Sequence, residues 1–122
     1  LDTVFLAAPT STRRRLELVA RYSTGFVYLV SRTGVTGERS SVSAAVGPLV
    51  ASMRELTSLP LAVGFGISTP AQVAEVGRVA DAVVVGSAFV RRIGEAGGSP
   101  LLAAGLESMA RELAGGLERK TR

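Results

Sequence analysis

The sequence predicts an α/β protein with a parallel sheet: four βα units forming the C-terminal half of a (β/α)8 barrel. Three observations lead there. Short apolar runs alternate with helical patterns four times along 122 residues. The runs are almost continuously apolar, as strands covered on both faces are. Glycine turns follow the third and fourth runs, and an extra short helix follows the last, the placement of a barrel's phosphate site. A doubly wound nucleotide fold would carry its glycines after the first strand, where Ala7-Ala-Pro-Thr10 offers none. Four units at this length are half of the ~250 residues a barrel needs, and the chain is expected to be one half-barrel domain, 1–122, cut from something longer.

The elements follow in order. Thr3-Val-Phe-Leu-Ala-Ala8, closed by Pro9, is the first strand. Thr10 and Ser11 are placed to cap a helix running to about Tyr22, with Leu16, Val19 and Ala20 at helical spacing. Phe26-Val-Tyr-Leu-Val30 is the second strand, and Ser31 to Ser43 a long polar loop of the kind that forms lids. Val46, Leu49, Val50, Met53 and Leu56 mark an amphipathic helix with Pro48 in its first turn. Leu61-Ala-Val-Gly64 is the third strand; Thr69 and Gln72 form a capping box, with Pro70 at the first helical position. Ala82-Val-Val-Val85 is the fourth strand, followed by a short helix after Ser87. Ser99-Pro100 opens a last helix bearing Leu101, Leu102, Leu106, Met109 and Leu113.

Composition narrows the chemistry. The chain has no cysteine and no histidine, which removes thiol chemistry, His-based triads and the commonest general base. No apolar run approaches the ~18 residues of a membrane span. The net charge of +4 draws on Arg13-Arg14-Arg15 and the tail Glu118-Arg-Lys-Thr-Arg122. The arginines share a helix with Leu16 and Val19, so a solvated helix face accounts for them better than a nucleic-acid stripe.

Binding is more visible than catalysis. Gly64 and Gly66 allow close approach to the main chain, and Gly86-Ser87 leads straight into Ala88-Phe-Val-Arg-Arg-Ile93, leaving amide groups free at a positive helix end. Either turn alone is equally a tight strand-to-helix connection. The pair at successive strand ends favours a phosphate cradle. Arg32 is able to reach an anion or a surface carboxylate, Thr36 offers a hydroxyl, Gly34 and Gly37 are candidate hinges, and Tyr28 is a core or pocket ring. Of the ten acidic residues, Asp2 and Asp81 precede strands, most others fall in helical patterns, and only Glu38 sits in a loop on the expected active face.

The segments Phe5-Leu-Ala-Ala-Pro-Thr10, Gly25-Phe-Val-Tyr-Leu-Val-Ser-Arg-Thr-Gly-Val-Thr-Gly37, Gly64-Phe-Gly-Ile-Ser-Thr-Pro-Ala-Gln-Val73 and Val85-Gly-Ser-Ala-Phe-Val90 resemble, in order, the C-terminal half of the tryptophan synthase α subunit. The Ser31–Gly37 stretch distinguishes that family from other phosphate-binding barrels. The resemblance implies a cytoplasmic lyase of tryptophan biosynthesis that cleaves indole-3-glycerol phosphate to indole and glyceraldehyde 3-phosphate. Phosphate contacts would fall on Gly37, Gly66, Gly86 and Ser87; Tyr28 and Phe65 would line the substrate pocket; Arg32 and Thr36 would belong to the mobile loop. The family's catalytic glutamate and aspartate lie in the half this sequence does not match, so no catalytic residue is expected here. The α subunit itself carries no cofactor and no metal; pyridoxal phosphate is expected only in the partner β subunit. The N-terminal half of the barrel is the other expected partner. The alternative is a non-catalytic phosphate-binding half-barrel that self-associates through its open sheet edges.

Overall fold

A computed structural model describes residues 1–31, 42–64 and 66–117. Four strands, β1 (Leu6–Ala7), β2 (Val27–Val30), β3 (Leu61–Gly64) and β4 (Ala82–Val84), form one sheet in chain order with every pair parallel. The helices are α1 (Arg13–Tyr22), α2 (Val42–Leu56), α3 (Pro70–Gly77), α4 (Ser87–Ala96) and α5 (Leu102–Ala114). This is the arc of four βα units expected from the sequence, with the order of a barrel wall rather than that of a doubly wound sheet.

The strand register divides the sheet into two unlike faces. Leu6, Tyr28, Ala62 and Ala82 form one lateral row, and Ala7, Leu29, Val63 and Val83 the next. Successive residues point to opposite faces. Val27, Leu29, Leu61 and Val63 are completely buried beneath Leu16, Val46, Met53 and Val76 of the helix layer. The opposite face, the inner wall of the arc, carries Tyr28, Val30 and Val84 half-buried and Leu6 58% exposed.

Local chemistry departs from the sequence expectations at three helix starts. Neither Thr10 nor Ser11 caps α1. Thr12 does, its Oγ1 accepting from the Arg15 amide at 3.3 Å, while Ser11 Oγ accepts from the Ala8 amide at 3.0 Å and closes the preceding turn. Pro48 is not in a first turn, because α2 begins at Val42; it stands exposed inside the helix, where it lacks an amide to donate one turn back. Ser99 does not open α5. Its hydroxyl accepts from the Leu101 amide in a turn, and the helix begins at Leu102. The arginine-rich face of α1 is solvated, with Arg13 paired to Glu17 and Glu55. The basic tail from Glu118 to Arg122 lies outside the described residues.

The amino ends of the strands are tied by structural contacts. Asp81 Oδ2 accepts from the Leu61 amide at 2.9 Å and from Arg54 Nη1 at 2.7 Å, coupling the starts of β3 and β4 to the end of α2. Its backbone amide donates to the Leu61 carbonyl. Asp81 therefore belongs to the stabilising end of the sheet, as its position before the strand suggests.

Candidate functional site

The carboxyl ends of β3 and β4 bring the two glycine turns together. Gly64 pairs with Val84 in the parallel register. Gly66 and Gly86 each stand two residues further on, so both lie at the same end of the sheet. Gly66 is exposed with φ +74°, a conformation that disfavours any residue with a Cβ. Gly86 is the N-cap of α4, and Ser87, also exposed, is its first helical residue.

The two helix starts at this rim differ in a way that matters for binding. At α3 the capping box is complete: Thr69 Oγ1 accepts from the Gln72 amide at 3.2 Å, and Gln72 Oε1 accepts from the Ser68 and Thr69 amides at 2.9 and 3.2 Å. Those donors are satisfied within the chain. The start of α4 has no side-chain cap. The Phe89 and Val90 amides donate to the Gly86 carbonyl, and among the described residues no acceptor meets the amides ahead of them at this positive helix end. An anion is the natural acceptor there.

Gly64 has a different reason for being glycine. A Cβ built on it would come within 2.9 Å of Val84 Cβ and collide with the Tyr28 hydroxyl. Its lack of a side chain lets the half-buried Tyr28 ring lie across the inner wall. The sequence suggested ligand approach at Gly64; close packing between β2, β3 and β4 is what the structure gives. Ser31 supplies a second tie that the sequence did not single out. It is fully buried, and both its amide (2.9 Å) and its Oγ (3.0 Å) donate to the Gly64 carbonyl, fixing the exit of β2 against the exit of β3. The only signal for it was a small hydroxyl residue directly after an apolar run.

The remaining candidates Arg32, Thr36, Gly37 and Phe65 lie outside the described residues, as does Glu38. Among the described carboxylates, Asp2 and Asp81 precede strands and the others lie on helices. No group of three or more metal-ligating side chains occurs among the described residues, and none of their helices is long and apolar enough to cross a membrane. A cleft of about 600 Å³ opens at the carboxyl ends of β1 and β2, walled by Thr10, Ser11, Thr12, Arg15 and Val30. A second cavity of about 290 Å³, on the helix side of β4, is lined among the described residues only by apolar ones, including Val73, Val83, Phe89 and Leu113. It has nothing to orient a charged ligand.

Fold and rim define the class: half of a parallel (β/α)8 barrel with glycine turns where its last two strands end. The tryptophan synthase alpha chain family matches residues 1–118, and the chain belongs to that family. It is 70% identical over 113 residues to the tryptophan synthase alpha chain of Solibacter usitatus, a match covering 93% of this chain and 42% of that one. The corresponding chain of Acidothermus cellulolyticus is 49% identical over 119 residues, covering 98% and 44%. Among solved structures, tryptophan synthase from M. tuberculosis in an aminoacrylate-bound form superimposes with TM-score 0.76 at 36% identity, covering 97% of this chain and 41% of that chain. A mutant tryptophan synthase alpha-subunit from Pyrococcus furiosus gives TM-score 0.74 at 38% identity, covering 93% and 45%. The chain thus spans about two fifths of the length of the curated relatives it matches.

Proposed function

We propose that residues 1–122 are the phosphate-binding half of a lyase that cleaves indole-3-glycerol phosphate to indole and glyceraldehyde 3-phosphate. The observation that carries the reading is the uncapped start of α4 standing level with the positive-φ turn at Gly66. In this reading the Ser87 hydroxyl and the first amides of α4 hold the phosphate, and Gly66 admits it without a side chain in the way. Tyr28, lying on the inner wall, borders the indole end of the substrate. Arg32, Thr36, Gly37 and Phe65 complete the loop and pocket by family likeness.

Breaking the carbon–carbon bond needs a proton donor and an acceptor, each worth about 10²–10⁴-fold in rate. The family's glutamate and aspartate supply them from the length of the relatives that this chain does not span. The chain's share of the work is therefore binding and orientation, with four further βα units as the catalytic partner. Indole would pass to a β subunit holding pyridoxal phosphate, and no cofactor is assigned to this chain. Its setting is cytoplasmic.

Calorimetric titration with glycerol 3-phosphate tests the cradle. The wild-type chain should bind, and Gly66→Val should abolish binding with the far-UV spectrum retained; unchanged affinity refutes the assignment. Indole release should require addition of the separately produced N-terminal portion of the Solibacter usitatus relative. Release by this chain alone would show that it carries its own proton donor and acceptor.

A further inference from the structure

We infer that Gly116, in the turn that closes α5, is a positioning residue for the phosphate site: its bare backbone sets the height of α3, and with it the placement of the turn from Gly66 to Thr69. The consequence for binding rests on the function proposed above; the cause lies in packing within the chain. The chain leaving α5 comes back to the rim at the start of α3. A Cβ built on Gly116 would collide with the carbonyl oxygen of Pro70 and stand 3.0 Å from its carbonyl carbon. Pro70 is the first residue of α3. The obstacle is main chain in the first turn of a helix, so no side chain is there to swing aside for a methyl group.

Both sides of this contact are held in place. The Gly115, Gly116 and Leu117 amides donate to the carbonyls of Arg111, Leu113 and Ala114, each at 3.0 Å. Leu113 is buried and anchors that end of α5 in the same core as Val73 of α3. On the other side, Gln72 Oε1 accepts from the Ser68 and Thr69 amides, Thr69 Oγ1 accepts from the Gln72 amide, and Ile67 is buried in the core. A displacement of Pro70 therefore passes along a tied segment to Gly66. Making room for a methyl group on Gly116 moves the first turn of α3 by about 1 Å, whereas a binding constellation tolerates roughly 0.5 Å. Gly77, at the far end of α3, gives the contrast. Among the described residues a Cβ there meets only Leu117 Cδ2, the tip of an exposed side chain that is able to turn away. The helix contact is thus rigid at the rim end of α3 and adjustable at the other.

Gly116→Ala and Gly77→Ala each add one methyl group to the same helix contact and together test the inference in the 122-residue chain. Backbone amide resonances report the turn without any ligand, and calorimetric titration with glycerol 3-phosphate reports binding. In Gly116→Ala the Gly66, Ser68 and Thr69 amides should shift while that of Met53 in α2 does not, and affinity should weaken by at least about tenfold. In Gly77→Ala those amides should hold their places and affinity should stay within about twofold of wild type. Equal losses in both variants would mark a purely structural helix contact and overturn the inference. Unmoved Gly66, Ser68 and Thr69 amides in Gly116→Ala, or an unaltered affinity, overturn it as well. Where far-UV spectra show Gly116→Ala unfolded, Leu113→Ala takes its place, since it loosens the anchor of α5 and should shift the same three amides; unmoved amides there refute the inference. A wild-type chain that binds no glycerol 3-phosphate, alongside shifted amides in Gly116→Ala, defeats the phosphate reading and leaves the control of the turn by α5 standing.

Discussion

Gly64→Ala tests whether the rim is assembled by close packing of three strands. The added Cβ would lie 2.9 Å from Val84 Cβ and 3.0 Å from Tyr28 Cζ, with the Tyr28 hydroxyl nearer still. Ordinary carbon contacts are about 3.5–4.0 Å, so β4 or the tyrosine ring must retreat by roughly half an ångström or more. Overpacking of this kind costs about 1–3 kcal/mol. Replacing glycine also narrows the unfolded ensemble, which returns about 0.4–1 kcal/mol. The net loss is then about 1–2 kcal/mol. For a chain of this length the unfolding entropy is about 0.26 kcal/mol/K, so Tm should fall by about 4–8 °C in calorimetry. Tyr28→Phe removes the hydroxyl that the new methyl meets. In that background Gly64→Ala should cost at least about 0.5 kcal/mol less, a coupling that a double-mutant cycle measures directly. A neutral Gly64→Ala, or strictly additive costs, would refute the packing argument. Affinity for glycerol 3-phosphate should weaken as well, since Val84 precedes Gly86 by two residues and a displaced β4 carries the start of α4 with it.

Four further substitutions have defined outcomes. Asp81→Ala should cost about 1–3 kcal/mol in urea denaturation, because the Leu61 amide at the buried start of β3 loses its carboxylate acceptor. Arg54→Ala should cost less than about 1 kcal/mol, since that ion pair is some 40% exposed and screened; equal costs would show that the salt bridge, not the amide contact, does the stabilising. Ser87→Asp should raise stability by about 0.3–1 kcal/mol through the helix dipole while weakening phosphate binding at least about tenfold. Parallel changes in both quantities would remove Ser87 from the anion site. Gly86→Ala should leave Tm within about 2 °C of wild type yet weaken phosphate binding, and unaltered affinity would show that the anion does not approach this residue.

The fold was legible because its signals were local. The strand Leu61–Gly64 and the capping box of Thr69 and Gln72 stand where pattern and spacing put them. The α1 cap was not, because Thr10, Ser11 and Thr12 are all competent hydroxyls and their neighbours alone do not choose among them. Thr12 caps in the structure, while Ser11 is engaged by the Ala8 amide. Strand parity was hidden for another reason. Runs apolar on both faces carry no alternation, so nothing local showed that Tyr28 turns inward while Leu29 turns to the helices.

The three rim glycines show most clearly what a sequence withholds, since the same residue type answers three separate demands. Gly64 is required by its neighbours, which leave no room for a methyl group. Gly66 is required by its own backbone at φ +74°. Gly86 is required by neither among the described residues: its φ is −120°, and a Cβ would meet none of their atoms within 4 Å. A glycine at a helix N-cap gains no side-chain hydrogen bond, whereas serine or aspartate there would stabilise the helix by roughly a few tenths of a kcal/mol. That small gain is forgone at α4, whose start on the β3–β4 rim has no side-chain cap among the described residues. In the proposed phosphate site the omission has a purpose, because a capping side chain would occupy the position assigned to the anion.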